Sequence, residues 1–161
     1  METTTDTQWL GESQQRVWRS FLGATTLLMD RLDRDLRNAH DLSMPEYEIL
    51  VRLSESPDRS IRMAELAAQI MHSRSRVTHT ITRLERKGIV LREQAASDGR
   101  GVTAVLTDHG FSVLERAAHT HVNGVRAYLV ETASPEEFDV LGQVMARVVS
   151  HLDVNGTCAT P

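Results

Sequence analysis

MHSRSRVTHTITRLERKGIV (residues 71–90), followed by LREQAASDGRGVTAVL (91–106), is the stretch whose reading decides the fold. In its first half Val77, Ile81 and Leu84 recur at helical spacing and give one apolar stripe. Arg74, Ser75, Arg76, Thr78, His79, Thr82, Arg83 and Arg86 fall on the opposite and flanking faces. Ser73 is placed to cap this helix and Gly88 to end it, so the spacing predicts a helix over about 74–87. In the second half, 89–94 and 102–106 read as two strands, joined by a turn at 95–101 whose glycines supply positive φ. An amphipathic helix with a basic outer face, then a hairpin with a charged tip, is a way to present side chains to DNA.

Outward from that stretch the pattern is helical. Leu66, Ala67 and Ile70 face inward on a compact helix over 64–70, and a tight turn at His72-Ser73 joins it to the basic helix. Two short helices around a tight turn, the second basic on its outer face, make a helix-turn-helix. Ahead of them, Ser43 and Glu46 form a capping box with Pro45 in the first turn, and Ser56-Pro57 stops that helix. Tyr47, Leu50, Val51 and Leu53 form its expected buried side, and 61–63 read as a very short strand.

Long helices flank this region. Residues 13–40 hold no proline and carry two apolar stripes, one through Val17, Phe21, Ala24 and Leu28, the other through Trp18, Leu22, Met29, Leu32 and Leu36. That surface is wider than one core-facing side requires, which predicts packing on a second subunit as well. Thr107 caps a helix to about Val130 with Phe111, Leu114, Ala118, Val122, Val125 and Leu129 in line. Ser134-Pro135-Glu136-Glu137 opens a last helix carrying Phe138, Leu141, Val148 and Leu152. The expected fold is mainly α with a small β-hairpin. It is a winged helix-turn-helix over 43–106 with dimerisation helices at 13–40 and 107–152, in one chain of 161 residues.

Charge distribution supports the DNA reading although the chain is acidic, at net −4. Between Arg59 and Arg100 nine basic residues stand against four acidic ones, so the remaining residues carry nine net negative charges. A basic centre between acidic flanks confines phosphate attraction to one face. The single cysteine, Cys158, excludes an intrachain disulfide and any multi-cysteine metal site, and fits a reducing cytoplasm. METTTDTQW has neither a basic n-region nor an apolar h-region, so no signal peptide is expected, and no apolar run approaches a bilayer span.

With these segments in order, the chain resembles the MarR (multiple antibiotic resistance regulator) family over about residues 18–152. The segments that carry the resemblance are LSMPEYEILVRL (42–53), MAELAAQI (63–70), SRSRVTHTITRLERKGIV (73–90) and SDGRGVTAVLTDHG (97–110). The last is the most specific, since it holds Asp98-Gly99-Arg100 in the wing and Leu106-Thr107-Asp108-His109-Gly110 after it. One departure is the 64–70 helix, which has Arg62 and Met63 where a Ser or Thr cap is usual.

The resemblance implies a homodimer on a double-stranded, pseudo-palindromic operator, acting as a repressor, with recognition helices about one turn (roughly 34 Å) apart. Arg74, Ser75, Arg76, Thr78 and His79 are then the candidates for base edges and nearby phosphates, and Arg83 and Arg86 for phosphates. Arg100 is expected in the minor groove, oriented by Asp98. The resemblance further implies release by a small aromatic or phenolic ligand, for which Trp9, Arg16, Trp18, Arg19 and His40 are candidate cleft residues.

A metal- or redox-responsive regulator of the same fold is the alternative, from the seven histidines and from Cys158. His119 and His121 do not share a helix face, however, and no carboxylate or thiol completes a ligand set, so no metal and no cofactor is expected. An enzyme is not expected either, because the sequence has no Gly-rich phosphate loop, no Gly-x-Ser-x-Gly and no His-Glu-x-x-His.

Overall fold

The structure is a computed structural model and describes residues 7–70, 73–94 and 101–152. The order is α1 (Glu12–His40), α2 (Met44–Glu55), a 3-10 turn (Pro57–Arg59), β1 (Ser60–Arg62), α3 (Met63–Gln69), α4 (Arg74–Arg86), β2 (Val90–Gln94), β3 (Val102–Leu106), α5 (Asp108–Tyr128), a second 3-10 turn and α6 (Pro135–Leu152). The expected hairpin is thus part of a three-stranded antiparallel sheet in the order β1-β3-β2. Val90 pairs with Leu106 and Arg92 with Ala104, while Ile61 meets Ala104 from the other side.

Local chemistry explains the helix ends. Ser43 and Glu46 satisfy one another's backbone N–H groups at the start of α2. Ser73 accepts from the Arg76 N–H and Thr107 from the Gly110 N–H, which caps α4 and α5. At the end of α4 the Ile89 N–H bonds the Leu84 carbonyl and the Gly88 N–H bonds the Glu85 carbonyl. This Schellman arrangement needs a left-handed residue, and Gly88 supplies it at φ 67°. α3 has no side-chain cap, as its sequence predicts.

The core lies between α2, the helix-turn-helix and the sheet. Leu36, Leu42, Leu50, Leu53, Leu66, Ile81 and Leu84 are fully buried there, with Val77 and Val90 beside them. α5 keeps most of the expected apolar line against the core, with Leu114 buried and Phe111, Ala118 and Val125 half-buried, but Val122 is 52% exposed. Its most buried row is Gly110, Val113, Leu114, Ala117 and Gly124, to one side of that line. The reason is that α5 meets the sheet at its first turn, where a Cβ on Gly110 would lie 2.1 Å from the Ile89 carbonyl oxygen. That approach sets the rotation of the whole helix.

Two non-glycine residues in the 3-10 turn, Asp58 and Arg59, adopt left-handed backbone at φ 53° and 51°. Each costs roughly 1 kcal/mol or more. The Arg59 guanidinium lies 3.8 Å from the Phe111 ring centre and pairs with Asp108 at 3.2 Å, which offsets that cost and holds β1 on the sheet.

Candidate nucleic-acid interface

α4 presents the candidate face because its other side is fixed. Val77, Thr80, Ile81 and Leu84 are buried, and this leaves Arg74, Ser75, Arg76, Thr78, His79 and Arg86 exposed. The Thr78 hydroxyl donates to the Arg74 carbonyl at 2.8 Å and the Thr82 hydroxyl to the Thr78 carbonyl at 2.9 Å. Thr78 therefore shows a methyl group and an acceptor oxygen outward, with its proton already committed. A thymine methyl or an exocyclic amine fits such a surface.

Not all of the local positive charge is available. Arg83 donates from Nε to the Glu46 carboxylate at 3.2 Å and from Nη2 to the Ser43 hydroxyl at 3.2 Å. Lys87 pairs with Asp41 at 3.0 Å, and Arg92 with Glu85 at 3.4 Å. Among the described residues Arg74, Arg76 and Arg86 have no ion-pair partner. Asp98 and Arg100 lie outside the described residues, as does Cys158.

The geometry adds three residues to the site: Glu46, read from the sequence only as half of the α2 capping box, Arg92 and Asp33. Glu46 is almost wholly buried, and its second oxygen accepts from the Ser43 N–H and hydroxyl at 2.7 Å each, so one carboxylate ties the α2 cap to α4. Arg92 of β2 donates to the Thr78 carbonyl at 3.1 Å and to the Thr82 hydroxyl at 2.6 Å, which staples the wing sheet to α4. The signal for it was an arginine at the strand position where an inward residue belongs. Asp33 of α1 accepts from the Met44 N–H and from Arg37 Nε. Burial alone would raise its pKa, but these hydrogen bonds outweigh burial and hold it below the usual carboxylate range.

The residues matching the family model for the MarR family are 42–102, the segment from the α2 cap to the start of β3. PecS, a helix-turn-helix transcriptional regulator of Dickeya dadantii strain 3937, is 31% identical over 132 residues, covering 81% of this chain and 79% of PecS. The DNA-complexed structure of Sco3205, a MarR family transcriptional regulator from Streptomyces coelicolor, is 44% identical. It superposes with a TM-score of 0.86 over 91% of this chain and 96% of that one. The chain belongs to the MarR family. It is accordingly a DNA-binding transcriptional regulator and not an enzyme. The organohalide-sensing regulator RdhR-CbdbA1625 in its 2,4-dichlorophenol-bound form shares the fold at 17% identity, with a TM-score of 0.79 over 100% of this chain and 98% of that one.

The effector candidates of this MarR-family chain are not brought together. Arg16 and His40 stand at opposite ends of α1, about 36 Å apart at roughly 1.5 Å per residue. His40 bonds the Thr120 hydroxyl at 2.7 Å, and Arg19 bonds Gln15 at 3.2 Å. Trp18 stacks on Phe21 at 6.0 Å in an apolar groove with Leu10, Val17 and Val148. Trp9 is 83% exposed. A separate cleft of about 770 Å³ opens between α1, α2 and α5, lined by Leu28, Met29, Leu32, Tyr47, Val51 and His121, with Glu48, Arg52 and Glu55 also on its wall. His121 Nδ1 is buried there without a hydrogen-bond partner among the described residues. Among those residues no group of three His, Cys, Asp or Glu side chains converges for a metal, and no helix is long and apolar enough to cross a membrane.

Proposed function

We propose that this chain is a cytoplasmic homodimeric repressor that reads a pseudo-palindromic operator with α4. The observation that carries the reading is the row Arg74, Ser75, Arg76, Thr78 and His79, exposed on a helix whose opposite face is immobilised in the core. DNA in the complex of a 44% identical relative supports it. Residues 13–40 and 107–152 form the dimer, which covers the apolar groove at Trp18 and Val148 and sets the two recognition helices one turn of DNA apart. Arg86 and Arg83 take phosphates, and Arg100, held by Asp98, enters the minor groove.

The effector is a small phenol or aromatic acid in the cleft between α1, α2 and α5. A phenolic hydroxyl would donate to the unpartnered His121 Nδ1, with the ring against Tyr47 and Val51. The 2,4-dichlorophenol bound by a protein of the same fold supports this class. Gel-shift titration against salt on the DNA upstream of the chain's own coding sequence tests the DNA reading. Arg100→Ala should weaken binding to all sequences and lower the salt dependence, and Arg76→Ala should also relax base preference. Unchanged affinity and salt slope in Arg100→Ala would remove the wing assignment. Adding 2,4-dichlorophenol should release the operator; intact complexes at saturating phenol would remove this effector class.

A further inference from the structure

Between the last turn of α1, the α2 cap and the start of α4 lies a polar concavity of about 440 Å³, to which α1 contributes Arg37, a residue with no role above. Its walls include Arg37, Ser43, Ser75, Arg76, His79 and Arg83, and no carboxylate is among its described lining residues. The adjoining hollow differs. It shares Arg37 and Arg83 and adds Arg86 and Lys87, but Asp41 and Glu46 stand among these cations and offset part of their charge. An anion is therefore drawn more strongly to the first than to the second.

The guanidiniums around the carboxylate-free concavity are aimed but not used up. Arg37 gives Asp33 only its Nε, at 2.6 Å, and keeps both Nη groups free of bonds among the described residues. Arg83 gives Glu46 and Ser43 its Nε and Nη2 and keeps Nη1. The Arg76 side chain has no partner among the described residues. Two buried or half-buried carboxylates, Glu46 and Asp33, thus hold two arginines in fixed poses from behind. A fork held in place loses less entropy on meeting a phosphate than a free one.

We infer that this concavity is a seat for one backbone phosphate of the operator, gripped by Arg37, Arg76 and Arg83, with Asp33 and Glu46 as positioning residues. The inference rests on the regulator reading and extends it: Arg37 belongs to α1, outside the helix-turn-helix, so a long helix would touch DNA directly.

The test uses the full chain and a duplex enriched by it from a random-sequence pool. In Arg37→Gln the slope of log affinity against log salt should fall by about 1.8, at ~0.9 per phosphate and two copies in the dimer. Affinity at ~0.1 M salt should drop roughly tenfold or more. Arg34→Gln, a neighbour on α1 paired with Asp30 and outside the concavity, should change neither. Arg37→Lys should restore part of the loss, which also guards against a folding defect in the glutamine variant. Methylphosphonates placed singly along the duplex should reveal one phosphate per half-site whose neutralisation weakens the wild type and has a smaller effect on Arg37→Gln, in which Arg76 and Arg83 still face it. An unchanged slope in Arg37→Gln overturns the seat, and so does a lowered slope with no single phosphate whose effect is reduced in that variant. Failure of the wild type to enrich any duplex overturns the regulator reading itself.

Discussion

The two ends of α1 obey the same helical pattern but meet different surroundings. Near its C-terminus Leu32 and Leu36 are 4% and 0% exposed, packed into the lobe that holds the helix-turn-helix. Toward its N-terminus Val17, Trp18, Leu22 and Leu27 are 68%, 50%, 45% and 69% exposed, and α6 has no buried residue at all. The difference teaches that periodicity specifies a helix face without specifying what covers it. The lobe is self-sufficient because α2, α3, α4 and the sheet close on one another. The helical ends expose apolar side chains that the described residues of one chain do not cover, which supports the proposed dimer.

The change expected to act most strongly strikes the closed side. Gly110→Ala would set a methyl group 2.1 Å from the Ile89 carbonyl oxygen and 2.8 Å from Leu106 Cδ1. That carbonyl cannot retreat freely, since it accepts from the Thr107 N–H at 3.1 Å and hydroxyl at 3.1 Å. A loss of more than about 3 kcal/mol is expected, visible as a collapsed urea midpoint. A midpoint within error of wild type would show that α5 does not seat on the sheet in this way.

A matched pair on α1 sharpens the contrast. Leu36→Ala should cost about 2–5 kcal/mol, because it opens a cavity in a filled interior. Leu22→Ala, on the same helix, should move the urea midpoint little at protein concentrations where the chain is monomeric. Leu22→Asp should instead shift sedimentation toward the monomer and weaken operator binding about a hundredfold or more as avidity is lost. Equal urea effects from Leu36→Ala and Leu22→Ala in the monomer would erase the distinction between the two ends.

Legibility in the sequence follows the same division. Caps, stops and the α4 stripe were readable because each depends on a few neighbouring residues: Ser43 with Glu46, Ser73, Gly88, and Thr107 with Gly110. What escaped depends on contacts between distant segments. Arg83 counts as a basic surface residue until Glu46, distant in the chain, is folded against it. Arg92 is one charge in a strand until the register sets it under Thr78 and Thr82. The spacing of the effector candidates is a related case. Arg16, Trp18, Arg19 and His40 share one helix, and a straight helix separates its two ends instead of gathering them. The turn at Asp58 and Arg59 carries no glycine, so its left-handed backbone gave no local signal; the contact of Arg59 with Phe111 is what sustains it.

The smallest expected effect lies where the two regions meet, in the cleft between α1, α2 and α5. His121 sits there with its ring centre 4.7 Å from that of Tyr47, and burial lowers its pKa. Tyr47, Glu48, Arg52 and Glu55 are the other titratable groups on the cleft wall. The folded chain therefore prefers neutral His121, while the unfolded chain takes up the proton near the ordinary value of ~6.5. Its contribution to stability is fully present above that value and is lost as pH falls toward the depressed folded pKa. His121→Phe keeps an aromatic ring against Tyr47 and removes both the titration and the unpartnered Nδ1. Between pH 7.5 and pH 5.5, taken as roughly one unit either side of the free histidine value, the variant should lose less thermal stability than the wild type. Identical pH slopes in the two proteins would mean that His121 is solvated in solution, and that the cleft is open on the side where the lobe meets the long helices.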